Sequence, residues 1–188
     1  DAKPTASQMY APRGVFMNDD YLVAADSGNH RVLIWRGIPE NDQTPADVVL
    51  GQKDFETEGA RANTNDSERG FHLPTGVKII DGKLFVADSW HHRILVWNEM
   101  PTSNFQKPDY AIGHTNLSEI EKNRGNAKCS ADSLYWCYGF HYVNEIFYIA
   151  DTGNRRVIGW HGIPEANQPA DFVVGQDDFE TNPENRGL

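Results

Sequence analysis

One eleven-residue string returns twice in this chain and limits its fold more than any other feature. Ala25-Asp26-Ser27-Gly28-Asn29-His30-Arg31-Val32-Leu33-Ile34-Trp35 recurs as Ala87 to Trp97 and again as Ala150 to Trp160. Its aspartates, Asp26, Asp88 and Asp151, lie 62 and 63 residues apart. Other marks keep the same phase. Gly14, Gly76 and Gly139 stand at the start of each unit's first strand, and Pro39, Pro101 and Pro164 follow the third. Gly51-Gln52, Gly113-His114 and Gly175-Gln176 close the fourth, and Phe55, Leu117 and Phe179 sit at equal offsets beyond. Self-similarity of this period along the whole chain means copies of one unit, each burying a face that its neighbour cannot bury alone.

Each unit reads as four short strands. In the first they are residues 14–17, 21–25, 31–36 and 47–50, separated by Asn18-Asp19-Asp20, Ser27-Gly28-Asn29 and Gly37 to Pro45. Gly28 and Gly153 are expected to supply the positive φ of a tight hairpin, so Trp90 in their place demands a different or strained turn. Val32-Leu33-Ile34-Trp35 is apolar without alternation, as in a strand covered on both faces. Radial blades meet that condition better than a sandwich does. Helical periodicity is nearly absent; only Asn116–Asn123 offers a helical turn. The predicted fold is all-β: a β-propeller segment of four-stranded antiparallel blades, three per chain. Its repeats cover approximately residues 12–73, 74–136 and 137–188, the last joined by 1–11.

The run Ala25 to Val32 resembles the NHL signature, in which a strand ends at Asp, turns through Gly-Asn-His/Arg and resumes at Arg. Pro74-Thr75-Gly76-Val77 and Pro45 to Gln52 resemble the long-repeat bacterial branch of that family, and the resemblance covers essentially the whole chain. It implies rings of six blades, sometimes five. It also implies binding of protein, RNA or small ligands, with a few enzymes among the relatives, including a metal-dependent amidating lyase. Fold alone does not choose among these.

Three blades leave two apolar blade faces uncovered, which a soluble chain tolerates poorly. Nine residues follow Phe179 and eleven precede Pro12. Joined tail to head they come close to the nineteen-residue step from Phe55 to Pro74 and the twenty-residue step from Leu117 to Cys137. The expectation is a homodimer that completes a six-bladed ring with twofold symmetry. The alternative is half of a longer six-repeat chain.

The acidic balance, net −10, speaks against a nucleic-acid backbone as partner. No run of 18 apolar residues predicts a membrane span, and no signal peptide is evident, which leaves cytoplasm and periplasm both open. Asp26/Arg31, Asp88/Arg93 and Asp151/Arg156 bracket the same hairpin in every unit, which points to architecture. Phe16, Lys78 and His141 share one position on the strand expected to line the channel, and so form the candidate ligand site. His141 is the candidate metal ligand. Trp90, His91 and Trp136, with Tyr135 and Tyr138, are the candidate recognition residues, and an interface between chains explains the aromatic ones equally well. His91 and His92, as chain neighbours, chelate one ion poorly. Cys129 and Cys137 are close enough in sequence for a disulfide, and two separate thiols fit as well. No nucleophile elbow, P-loop, zincin or dinucleotide motif is present. The leading expectation is therefore a non-enzymatic scaffold that binds protein or a small ligand, without a cofactor. The alternative is a metal-dependent lyase or hydrolase with a His-lined channel.

Overall fold

In the computed structural model, which describes residues 3–187, the chain forms three four-stranded antiparallel sheets. The first sheet is β1 (Gly14–Met17), β2 (Tyr21–Asp26), β3 (Arg31–Arg36) and β4 (Val48–Leu50). The second is β5 (Pro74–Ile80), β6 (Lys83–Asp88), β7 (Arg93–Trp97) and β8 (Tyr110–Ile112). The third is β9 (Cys137–Val143), β10 (Ile146–Asp151), β11 (Arg156–His161) and β12 (Phe172–Val174). Strands pair in chain order within each sheet, so each is one propeller blade. Residues 1, 2 and 188, which the sequence reading assigns to the third unit, lie outside the described residues.

The unbroken apolar runs arise because each central strand feeds two cores. Leu84 and Val86 of β6 pack with Val23, Ala25, Val32 and Ile34 of the first blade. Phe85 and Ala87, from the same strand, pack with Phe147, Ile149, Ile158 and Trp160 of the third. Alternate side chains of a strand face opposite sides. A strand between two blades therefore has no polar side to show. Trp97 and Trp160 fill the interblade cores and are almost wholly buried.

The β2–β3 hairpin and its two counterparts differ from expectation at the glycine. Positive φ falls on His30 (54°), His92 (57°) and Arg155 (55°), each after a single 3-10 turn, and not on Gly28 or Gly153. Those glycines are instead required by close approach. A Cβ on Gly28 would overlap the Tyr10 ring, and one on Gly153 the Tyr135 ring. The N–H of each donates to the backbone carbonyl of the same tyrosine, at 2.8 and 2.7 Å. Trp90 accommodates its side chain by standing off, with its N–H 3.2 Å from the His72 carbonyl. It has no positive φ and so no strain of that kind.

Asn116–Asn123 is not one helical turn. The Asn116 side chain accepts the N–H groups of Ser118 and Glu119, an Asx turn. A 3-10 turn begins only at Lys122–Gly125, with counterparts at Ala60–Asn63 and Glu184–Gly187.

Candidate functional site

The common phase of the three units is explained by a latch at the base of each hairpin. Asp26 accepts the Tyr10 N–H at 2.7 Å with one oxygen and Arg31 Nε at 2.7 Å with the other. Asp88 does the same for His72 and Arg93, and Asp151 for Tyr135 and Arg156. The arginine's terminal nitrogens then gather carbonyls from two loops. Those of Arg93 donate to Leu117 and Ser67, those of Arg31 to Phe55, Thr5 and Gln8, and those of Arg156 to Phe179, Ser130 and Ser133. Asp26, Arg31, Asp88, Arg93, Asp151 and Arg156 are thus engaged in fastening the segment that enters each blade to the loop that leaves it. A small polar side chain completes each latch: Asn29 and Asn154 donate to the aspartate at 2.8 Å, and His91 takes their place at 2.9 Å. Burial pulls the Asp88 carboxyl up, but the facing His91 and Arg93 charges outweigh it and hold it below the usual carboxylate range. His91 is therefore buried in the second latch, which removes it from the exposed recognition residues.

The first strands of successive blades meet, β1 against β5 and β5 against β9. A Cβ on Gly14 would meet the Thr75 carbonyl, and one on Gly76 the Phe140 ring. Phe16 leans into the first interblade core, while Lys78 donates to His141 Nδ1 at 2.6 Å. Partial burial holds the Lys78 ammonium below the usual lysine range. The structure thus joins two of the three predicted channel residues and separates the third. A ring nitrogen turned to an ammonium is a poor start for a metal site. Among the described residues no group of three or more His, Cys, Asp or Glu is arranged to hold a metal ion.

Cys129 and Cys137 are two separate, buried thiols and form no disulfide. Cys137 donates to the Arg93 carbonyl at 3.3 Å, and burial raises its thiol well above the ordinary value.

A strip of rings runs along the hairpin end of the blades. His30 lies 5.3 Å from His72, His72 5.3 Å from Trp90, Trp90 6.0 Å from Trp136, and Trp136 4.6 Å from Tyr135. Tyr10 and Trp90 are exposed. Lys122 Nζ stands 5.0 Å over the Tyr135 ring, a cation–π contact. Sequence alone singled out Trp90, Trp136 and Tyr135 but missed Tyr10, His30 and His72. Aligning the units by the segment before each first strand would have collected Tyr10, His72 and Tyr135 at one position.

His30 Nδ1 accepts the Leu73 N–H at 3.0 Å, and His92 Nδ1 the Trp136 N–H at 3.1 Å, so each imidazole ties one blade to the next. Both are held near a pKa of about 4, first by burial and then by neighbouring imidazoles; His114, also mainly by burial, lies at about 4 as well. Their unfolded value is 6.5, so their contribution is fully present above pH 6.5 and is lost as pH falls toward 4. With His30 and His92 discounted for solvent screening, the three together are expected to remove about 2–3 kcal/mol at pH 5, roughly 5–10 °C of melting temperature. Calorimetry at pH 7.5 and 5 checks this, and His114→Gln, which copies Gln52 and Gln176, should shrink the drop. An unchanged melting temperature would refute it.

The outer faces of the three-blade unit are unequal to its inner ones. Met9, Val15, Met17 and Ile38 are 46, 71, 58 and 56% exposed. Their counterparts Phe71, Val77, Ile79 and Met100 in the second unit pack on the first blade. Those in the third, Leu134, Phe140, Tyr142 and Ile163, pack on the second blade. On the opposite side Val174 is 56% exposed, while its counterparts Leu50 and Ile112 are buried. Ala150 is exposed where Ala25 and Ala87 are wholly buried.

Residues 71–97 match the NHL repeat family. No curated protein matches. Solved structures with similarity include an active polycomb repressive complex 2 in the basal state, at 13% identity and TM-score 0.45 over 86% of this chain and 29% of that one. A humanized mutant of the Chaetomium thermophilum Polycomb Repressive Complex 2 gives 14% and 0.44 over 86 and 30%. The computationally designed Ika8 protein gives 12% and 0.39 over 91 and 50%. The chain therefore spans between 29 and 50% of the length of these structures. The matched segment runs from Phe71, which enters the second blade, to Trp97 at the end of β7, and the same latched hairpin stands in the blades on either side: the chain carries an NHL repeat in its second blade and repeats that blade's geometry in the first and third.

Proposed function

We propose that the chain is a non-enzymatic propeller scaffold that binds a protein or small ligand, and that its working form is a six-bladed ring to which two chains give three blades each. The observation that carries the binding role is the division of labour among its side chains. The charged groups repeated in every unit are consumed by buried latches. Aromatic groups gather in one partly exposed strip: Trp90 and Trp136, which break the repeat, with Tyr135 and His72. Burial lowers the pKa of His72, so at neutral pH this surface offers uncharged rings. Rigid aromatic surface of that kind supplies contact area at low entropic cost. The Lys78–His141 pair offers a second polar contact point at the inner strands.

The test is affinity capture with the native chain and with Trp90→Ala/Trp136→Ala, after melting curves establish that both fold. Loss of a partner held by the native chain is the expected result, with affinity down ~30-fold or more for two truncated anchors. A partner retained equally by both would remove the strip from the recognition surface.

A further inference from the structure

We propose that the exposed leading face of the first blade seats on the exposed trailing face of the third blade of a second copy of this chain, through a joint built like the two interblade joints already inside it. This rests on the ring reading above and names its partner and contacts.

Each internal joint is a template, and it recurs twice. At the first, a Cβ on Gly51 would overlap the Phe71 ring; at the second, a Cβ on Gly113 would lie 2.6 Å from Leu134. The leading blade thus drops an apolar side chain onto a glycine of the blade before it. Gly175 holds the same place in the third blade, and the nearest atom to a Cβ there is the Arg155 carbonyl at 3.4 Å. Met9, the counterpart of Phe71 and Leu134, is correspondingly bare. The inner strands repeat the pattern. Gly14 stands against the Thr75 carbonyl and Gly76 near the Tyr138 carbonyl, while Gly139 meets nothing within 4 Å. In the joint, Arg13 presents its carbonyl to Gly139.

The polar contacts have the same gap. Ser27 donates to the Pro74 carbonyl, and Ser89 donates to that of Cys137 at 2.7 Å. Thr152 holds their place and is exposed, so the Pro12 carbonyl of the second copy is its acceptor. Arg61 N–H donates to the Phe71 carbonyl and Asn123 N–H to that of Leu134, each at 2.9 Å; in the joint, Asn185 N–H takes the Met9 carbonyl of the second copy as its acceptor. One contact is not reproduced. Arg155 replaces the imidazoles of His30 and His92, and its guanidinium donates to Asn182 and Glu184 instead. The joint between copies therefore lacks the imidazole hydrogen bond that both joints within the chain possess.

A face that mates only with a different face makes a head-to-tail contact, which closes when the rotation allows. Two copies then share two identical joints and leave no blade face open. A partner of other chemistry would have to imitate a blade's inner strand, loop carbonyls and apolar side chain together.

Light scattering on the native chain is expected to give twice 21.2 kDa. Val15→Asp on the leading face and Val174→Asp on the trailing face lie at exposed positions of the single chain, so each folds. Each is expected to raise the dimer dissociation constant ~100-fold or more and to return the mass to 21.2 kDa at the same concentration. An equimolar mixture of the two variants regains a heterodimer, because one of its two joints pairs two native faces. A monomeric native chain overturns the proposal. So does a native dimer that only one of the substitutions dissociates, which would mean like faces meeting. In either case the capture experiment on the Trp90 strip still tests the scaffold reading independently.

Discussion

Arg93→Ala is expected to destabilise the chain by about 3–5 kcal/mol, measured by denaturant unfolding at neutral pH. Arg93 and Asp88 are wholly buried, and the guanidinium holds the carboxylate, the Leu117 carbonyl and the Ser67 carbonyl at once. Alanine leaves a buried carboxylate facing only His91 and the His72 N–H, with two loop carbonyls short of their donor. That is the costly way to break a buried pair, since the remaining charge cannot reach water. Arg93→Lys keeps the charge but loses the planar fork, and about 2 kcal/mol of loss is expected. Asp88→Asn/Arg93→Met removes both charges and should cost less than Arg93→Ala alone. His91→Asn copies the first and third latches and is expected to fall within ~1 kcal/mol of the native chain. A cost below about 1 kcal/mol for Arg93→Ala would mean that the latch does not fasten the blade.

Those latches also mark where the sequence was legible. Strand positions followed from the period: β1 and β3 fall where the unit pattern placed them, and β2 and β4 differ by one residue at one end. The spacing of Asp26 and Arg31 pointed to a pair, because residues flanking a tight hairpin face each other across it. What the pair does to the rest of the blade was hidden. The carbonyls of Thr5, Gln8 and Phe55 are backbone groups, and backbone acceptors leave no signature in residue identity. The glycine of the hairpin misled for a related reason. Glycine is used for positive φ and for close approach alike, and only the position of the Tyr10 ring separates the two at Gly28. The strip at Trp90 was half visible: departures from the repeat can be seen in one dimension, but the neighbours that gather around them cannot. His91 shows the opposite error. It breaks the repeat in sequence yet performs the same hydrogen bond as Asn29 and Asn154.

Gly51→Ala and Gly175→Ala should separate the cost of a backbone conformation from the cost of a seated neighbour. Both glycines have positive φ, 83° and 94°. A Cβ in that region costs about 1–2 kcal/mol whatever surrounds it. At Gly51 the methyl also overlaps the Phe71 ring and meets the His30 carbonyl at 2.8 Å; Phe71 is itself wholly buried and edge-on to Trp97 at 6.2 Å. Phe71 cannot withdraw without opening the first interblade core, so a further ~1–3 kcal/mol of overpacking is expected. Gly51→Ala should therefore destabilise by about 2–5 kcal/mol, seen as loss of denaturation midpoint at unchanged slope. Gly175→Ala meets no side chain among the described residues, and under dissociating conditions it should cost only the backbone part. Its second effect belongs to a different observable. With Met9 of another copy seated over Gly175, the same methyl weakens the dimer, and mass measured against concentration reports it. Equal losses for the two variants in the single chain would mean that Phe71 and the His30 carbonyl both yield freely, and the glycine at the end of each fourth strand would then serve the turn alone.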